Sequence, residues 1–202
     1  MTKALVTPSW LVNILTSDNV VVLPASLDLM IPGAPEPAHA GFIPNSLRFD
    51  YDKVIYDKQS PLPHMMPTEE EFQHHIRSLG IDQDTTVVVY DQAGTYASPR
   101  AWWMFKAMGF NSVYLLEGGL RAWINSGYRT VCSLSNSTHY GNATAKLSES
   151  FVYSSRDMLN AISKENHYTF DARPRARYEG KIKEPREGVR SGHIPGSHSL
   201  PY

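Results

Sequence analysis

The sequence predicts an α/β protein, a parallel sheet flanked by helices, with one complete domain followed by the start of a second copy. Three observations carry this. Apolar runs rich in β-branched residues, "VVVL" from Val20 and "TVVVY" from Thr86, are too short for helices and are bounded by polar turns. Capped amphipathic segments lie between them, the order that βαβ units produce. The pattern of the chain's opening then returns after Phe151.

Taken in order, "TPSWLVNILTSDN" is a short amphipathic helix with Ser9 as its N-cap, and "VVVLPAS" is a buried strand. Pro32 to Pro44 is loop, "SLRFDYD" a further short strand, and Asp57 to Pro67 irregular. In "TEEEFQHHIRSLG", Thr68 and Glu71 have capping-box spacing and Gly80 ends the helix. "TTVVVYD" is the most strongly marked strand. The loop "QAGTYA" leads from it into "SPRAWWMFKAMGF", where Ser98 caps and Pro99 takes the first helical position. "SVYLLEGG" is the next strand, and "LRAWINSG" a helix stopped by Gly127.

From Tyr128 to Ser150 the composition turns to Ser, Thr, Asn and Gly with little hydrophobic periodicity, which reads as a linker. Beyond it "SSRDMLNAIS" is a capped helix, "YTFDAR" a strand, and "GHIPGSHSLPY" a turn and strand. Ile43-Pro44-Asn45-Ser46 aligns with Ile194-Pro195-Gly196-Ser197. The expected organisation is a complete domain at 1–127, a linker at 128–150, and an incomplete second domain at 151–202 without a counterpart of "VVVYDQAGTYASPR".

Composition narrows the function classes. Of 202 residues 42% are hydrophobic and 19% charged, and the net charge of -1 gives no electrostatic case for nucleic acid or a membrane surface. Small molecules or proteins are the expected partners. Cys132 is the single cysteine, so no intramolecular disulfide forms and a reducing, cytoplasmic setting is expected. The N-terminus lacks the features of a secretory signal.

In an open α/β sheet, ligands bind beyond the carboxyl ends of the strands, and a loop entering a helix N-terminus suits an anion. The loop from Asp91 to Ala97 has this context, with Arg100 one turn into the helix. Asp91 is either a base or nucleophile there, or a strand-end residue that accepts loop N–H bonds.

"VYDQAGTYASPRAWWMFKAMGF" with "VYLLEGGLRAW", "GFIPNSLRFDYD" with "HMMP", and "DARPRARYEG" through "EPREGVRSGHIPGS" together resemble a two-domain sulfurtransferase of the rhodanese and 3-mercaptopyruvate sulfurtransferase family. The resemblance implies a rhodanese-like fold and transfer of sulfur, through a cysteine persulfide, from a small anionic donor to cyanide or another thiol. Thiosulfate and 3-mercaptopyruvate are the donors it implies, and no cofactor or metal is expected. It places the active cysteine in the second domain's central loop, the counterpart of the loop that here holds Asp91. The chain is therefore expected to be inactive as it stands, with Cys132 an inert linker thiol.

The resemblance also implies substrate-binding residues. Arg177 in "RARYEG" and Arg186 in "EPREG" match arginines that grip the substrate in mercaptopyruvate-type members, a role that suits bidentate guanidinium groups. Asp52 in "FDYD" and His64 in "HMMP" match first-domain positions near that substrate, where a His–Asp pair relays protons, although their alignment needs a one-residue shift. The other histidines, His39, His74, His75, His139, His167, His193 and His198, show no ligand spacing. Trp102 and Trp103 are expected in the core.

Two other readings stand beside this one. The first domain is a non-catalytic binding or regulatory module, or Asp91 is the nucleophile of a phosphohydrolase. The latter needs a second aspartate where the sequence has Ala93. The apolar faces of 151–202 also lead to an expectation of loose order or self-association.

Overall fold

The computed structural model describes residues 4–25, 41–92, 96–162 and 164–201, in two compact units, Met1–Glu149 and Ser150–Tyr202. His39, Ala93, Thr95 and most of the loop expected at Pro32 to Pro44 lie outside the described residues.

The first unit is built on four parallel strands in the order β1-β4-β3-β2: β1 is Leu5–Val6, β2 Val20–Pro24, β3 Thr86–Tyr90 and β4 Val113–Leu116. β3 is central, and its side chains alternate between two cores. Val87 and Val89 point to one side with Phe72, Ile76, Met104 and Phe105, from helices α2 (Glu69–Ser78) and α3 (Ser98–Ala107). Val88 and Tyr90 point to the other with Leu11, Leu120 and Trp123, from α1 (Pro8–Ile14) and α4 (Gly119–Asn125). Both faces are covered, so β3 reads as a continuous apolar run rather than an alternating one.

The helix signals hold with local corrections. Thr68 and Glu71 form the capping box, and Gly80 and Gly127 follow the ends of α2 and α4 at φ of 72° and 81°. Thr7, not Ser9, caps α1: its hydroxyl accepts from the Trp10 amide at 3.2 Å, and Pro8 occupies the first turn. Ser98 lies inside α3 instead of capping it, because the cap comes from elsewhere in the fold. "SLRFDYD" is no strand. Ser46 and Phe49 make isolated parallel bridges to Val22 and Ala25, and the chain then turns at Tyr51. β1 has only two residues, too few to leave a periodic signal.

The stretch expected as a linker is fastened to the first unit as a strap. Phe42 and Val131 exchange backbone bonds of 2.8 and 2.9 Å. Glu69, Gln73 and Arg77, one stripe of α2 at four-residue spacing, then bind the strap's backbone. Glu69 accepts from the Leu147 amide at 2.7 Å, Gln73 accepts from Ala145 at 3.1 Å, and Arg77 donates to the Ala143 carbonyl at 2.7 Å. Ala143 and Ala145 are buried beneath it.

The second unit contains α5 (Ser155–Ile162), β5 (Phe170–Asp171), α6 (Arg175–Tyr178) and β6 (His198–Ser199), with β5 and β6 paired in parallel. Its turn repeats the first: Ser46 N–H donates to the Ile43 carbonyl at 3.2 Å, and Ser197 N–H to the Ile194 carbonyl at 3.0 Å. The next amide then donates to a backbone carbonyl in each unit, Leu47 to Val22 at 2.9 Å and His198 to Thr169 at 2.8 Å. Leu159, Phe170 and Leu200 of this unit are exposed. No helix among the described residues is long and apolar enough to cross a membrane.

Gly141 shows how closely the strap approaches, since a Cβ there would lie 2.1 Å from the Ile81 carbonyl oxygen. Gly141→Ala is expected to destabilise the first unit by about 1–3 kcal/mol, the usual cost of overpacking. A shift of the urea midpoint to lower concentration at unchanged slope checks this.

Candidate functional site

Asp91 follows β3 directly, at the carboxyl end of the central strand, and only 4% of its surface is exposed. Its carboxylate is engaged by the start of α3. The Ala97 amide donates to Oδ1 at 2.9 Å, the Ser98 amide reaches both oxygens at 3.1 Å, and the Ser98 hydroxyl donates to Oδ2 at 2.5 Å. Ala97 has no side chain able to cap, so Asp91 caps the helix from across the loop, and Ser98 serves it from within the helix. Burial pushes the Asp91 carboxyl up, while the Ser98 hydroxyl and the loop amides pull it back. The Ala97 and Ser98 donors, which a helix N-terminus would otherwise offer to an anion, are already taken by the chain's own carboxylate.

The backbone of Asp91 is fixed as firmly. Its carbonyl accepts from the Leu120 amide at 2.9 Å, and Gly119, at φ 56°, passes so close that a Cβ would sit 2.5 Å from that oxygen.

Asp52 and His64 meet. The His64 ring Nε2 contacts Asp52 Oδ1, with 42% of the His64 side chain and 22% of the Asp52 side chain exposed. Local turns present both. The buried Asp50 carboxylate accepts from the Lys53 amide at 2.8 Å, and the Ile55 amide donates to the Asp50 carbonyl at 2.9 Å, which turns Asp52 outward. The Asp57 amide donates to the Met65 carbonyl at 3.0 Å and closes the loop that carries His64. The Arg100 guanidinium, stacked 4.5 Å from the Trp103 ring centroid, donates to the His64 carbonyl at 2.5 Å. Trp102 and Trp103 both pack against the core as expected; Trp103 also supports this cation, and Trp102 donates to the Val113 carbonyl at 3.0 Å.

In the second unit the arginines fall into two environments. Arg177 lies on α6 and binds Glu184 through Nε at 3.1 Å and through Nη2, leaving Nη1 without a bond among the described residues. Glu184 raises the Arg177 pKa and is itself held down by Arg177. Arg186 is exposed on the turn that follows. Arg173, which no sequence motif singles out, bonds the Asp171 carboxylate, Glu184 at 3.0 Å and the Gly192 carbonyl at 2.8 Å. Its position directly after "YTFDA", at the carboxyl end of a strand, is the one signal the sequence offers for it.

Histidines that show no ligand spacing in the sequence have structural partners. His74 Nδ1 is 3.1 Å from the Tyr140 hydroxyl, His139 lies 3.5 Å from Asp82, and His193 stacks on Tyr178 with ring centroids 3.9 Å apart. No group of three or more potential metal ligands occurs among the described residues. Cys132 is exposed beside Val131 on the strap.

The profile of the rhodanese-like domain family matches residues 7–126, more than half of the chain. The chain belongs to the rhodanese-like family. This rhodanese-like chain is 38% identical over 162 residues to a 3-mercaptopyruvate sulfurtransferase of Mus musculus, a match that covers 79% of it and 54% of the relative. It is 37% identical over 180 residues to the mitochondrial thiosulfate/3-mercaptopyruvate sulfurtransferase 1 of Arabidopsis thaliana, covering 79% and 47%. The chain thus spans about half the length of the curated relatives it matches. Among solved structures it resembles SseA, a 3-mercaptopyruvate sulfotransferase of Escherichia coli, with a TM-score of 0.84 at 30% identity over 99% of this chain and 75% of that one. The rhodanese fold expected from the sequence is the fold observed.

The carboxylates of the two units make distinct expectations. Asp91→Ala strands two amides and a hydroxyl at the start of α3 and is expected to cost roughly 2–4 kcal/mol, since each buried donor left without a partner is expensive; the urea midpoint of the first unit reads this. Arg173 holds the Asp171 carboxyl down to about 2, below its ordinary value of 3.8. Depression of a folded carboxyl stabilises the folded form above the unfolded pKa, so this contribution is complete above about pH 4 and disappears as the pH falls through about 2. Amide dispersion of the second unit is expected to collapse over that window, and in Asp171→Asn to be reduced already at neutral pH and much less sensitive to acid.

Proposed function

We propose that this chain supplies the non-catalytic first domain, and the substrate-gripping start of the second, of a sulfurtransferase that works through a cysteine persulfide. The observation that carries the reading is Asp91. Its carboxylate takes up the Ala97 and Ser98 amides and the Ser98 hydroxyl at the end of the central strand, donors that would otherwise be open to a thiolate, and in this reading the first domain frames a reaction and does not host it. The similarity to 3-mercaptopyruvate and thiosulfate sulfurtransferases supports the class of chemistry.

In this reading the donor is a small anion, 3-mercaptopyruvate or thiosulfate, and the acceptor a thiol or cyanide. Arg177, through its free Nη1 end, and the exposed Arg186 bind the donor's carboxylate and carbonyl oxygens. The two arginines favour mercaptopyruvate over thiosulfate. Asp52 fixes the ring orientation of His64, which moves a proton as sulfur is transferred. Cys132, exposed on the strap, has no part in the transfer. A strand end closed by Asp91 also favours a second reading, in which the first unit serves as a binding or regulatory module alone.

The test is sulfur transfer to cyanide by the 202-residue chain, from mercaptopyruvate and separately from thiosulfate, with Cys132→Ser alongside. No turnover of either donor by either protein is expected. Turnover that Cys132→Ser abolishes overturns the proposal and moves the site to the strap.

A further inference from the structure

We infer that Arg100 is a positioning residue: it holds the His64 backbone in the conformation that brings the imidazole onto Asp52. The inference deepens the reading of Asp52 and His64 as a proton relay and rests on that reading for its bearing on the reaction. The geometry is independent of it.

His64 has a φ of 58°. That is the left-handed region, where the Cβ of any residue but glycine is crowded, and a histidine stays there only if its surroundings hold it. The flanking sequence Pro61 to Pro67 contains no glycine to absorb the turn. What grips the peptide is Arg100, whose Nη2 donates to the His64 carbonyl oxygen at 2.5 Å. A peptide rotated out of this conformation would carry that oxygen away from the guanidinium, and the ring away from Asp52 Oδ1.

Arg100 is suited to act as a clamp because it is itself clamped. Its Cζ lies 4.5 Å from the Trp103 ring centroid, a cation–π stack that the planar guanidinium makes well and an ammonium makes less well. Its Nε is buried without a hydrogen-bond partner, and its one bond among the described residues goes to His64. Burial pulls its pKa down, consistent with a cation held in place by the fold rather than dissolved at the surface. It stands on the first turn of α3, whose opening amides are bound by Asp91. A continuous line of contacts thus runs from the buried carboxylate at the end of β3, through α3 and Arg100, to His64 and Asp52. Through that line Asp91 sets the helix whose Arg100 holds His64.

The experiment is nitrogen-15 NMR of the His64 ring in the 202-residue chain. Asp52→Asn identifies the Nε2–H proton that is protected by the carboxylate, because its signal disappears in that variant. Arg100→Ala is expected to lose the same protected proton while the amide signals of β2 and β3 stay in place, and Arg100→Lys to restore it in part. Retention of the protected proton in a folded Arg100→Ala overturns the inference.

A second measurement covers the case in which Arg100→Ala does not fold well enough for NMR. Glycine adopts a φ of 58° freely, so in a His64→Gly background the loss of urea midpoint caused by Arg100→Ala is expected to fall to less than half of its value beside His64. An equal loss in both backgrounds overturns the inference. If Asp52→Asn leaves the wild-type ring signals unchanged, the relay reading fails, and the glycine cycle alone decides whether Arg100 holds the His64 backbone.

Discussion

The carboxylate of Asp91 is the constraint on which the first unit is organised. A parallel sheet buried on both faces must end its central strand inside the protein, and the helix that follows begins with amides that have no partners of their own. Asp91 answers both demands: its side chain receives the opening amides of α3, and its carbonyl receives the amide of Leu120 at the start of α4. Two helices on opposite faces of the sheet are thereby referred to one residue. The close passage of Gly119 and the placement of Arg100 are consequences of that arrangement.

Much of this architecture is legible in the sequence because it depends on local chemistry. β3 is visible as an apolar run that no helix of that length explains, and α2 as a capping box with a glycine after its end. The pairing of Asp52 with His64 is legible through family resemblance and not through spacing, because the turns at Asp50 to Ile55 and Asp57 to Met65 that bring the two together leave no periodic trace. Ser98 reads as a cap because a serine before a proline is the usual signature. A carboxylate seven positions upstream, joined only through the folded loop, supplies the cap instead.

The strap between residues 131 and 148 is illegible in the sequence for a related reason. Hydrophobic periodicity there is confined to Ala143, Ala145 and Leu147, since the segment is held mainly by its backbone. The information lies in another element, in the Glu69, Gln73 and Arg77 stripe of α2, which taken alone is an ordinary polar helix face. Arg173 is hidden similarly, because its partners Asp171, Glu184 and Gly192 come together only once β5 and the turn behind it have formed.

The fit between Asp91 and its donors bears on what this strand end can become. Three donor groups converge on two oxygens of a flat, two-pronged acceptor. A cysteine side chain at that position offers one sulfur on a shorter stem and cannot engage all of them. Changing the aspartate to a cysteine would therefore leave the opening amides of α3 fitted to the wrong shape. The start of α3 is thus fitted to a carboxylate, and exchanging the aspartate for a cysteine would not by itself turn this strand end into a thiolate site.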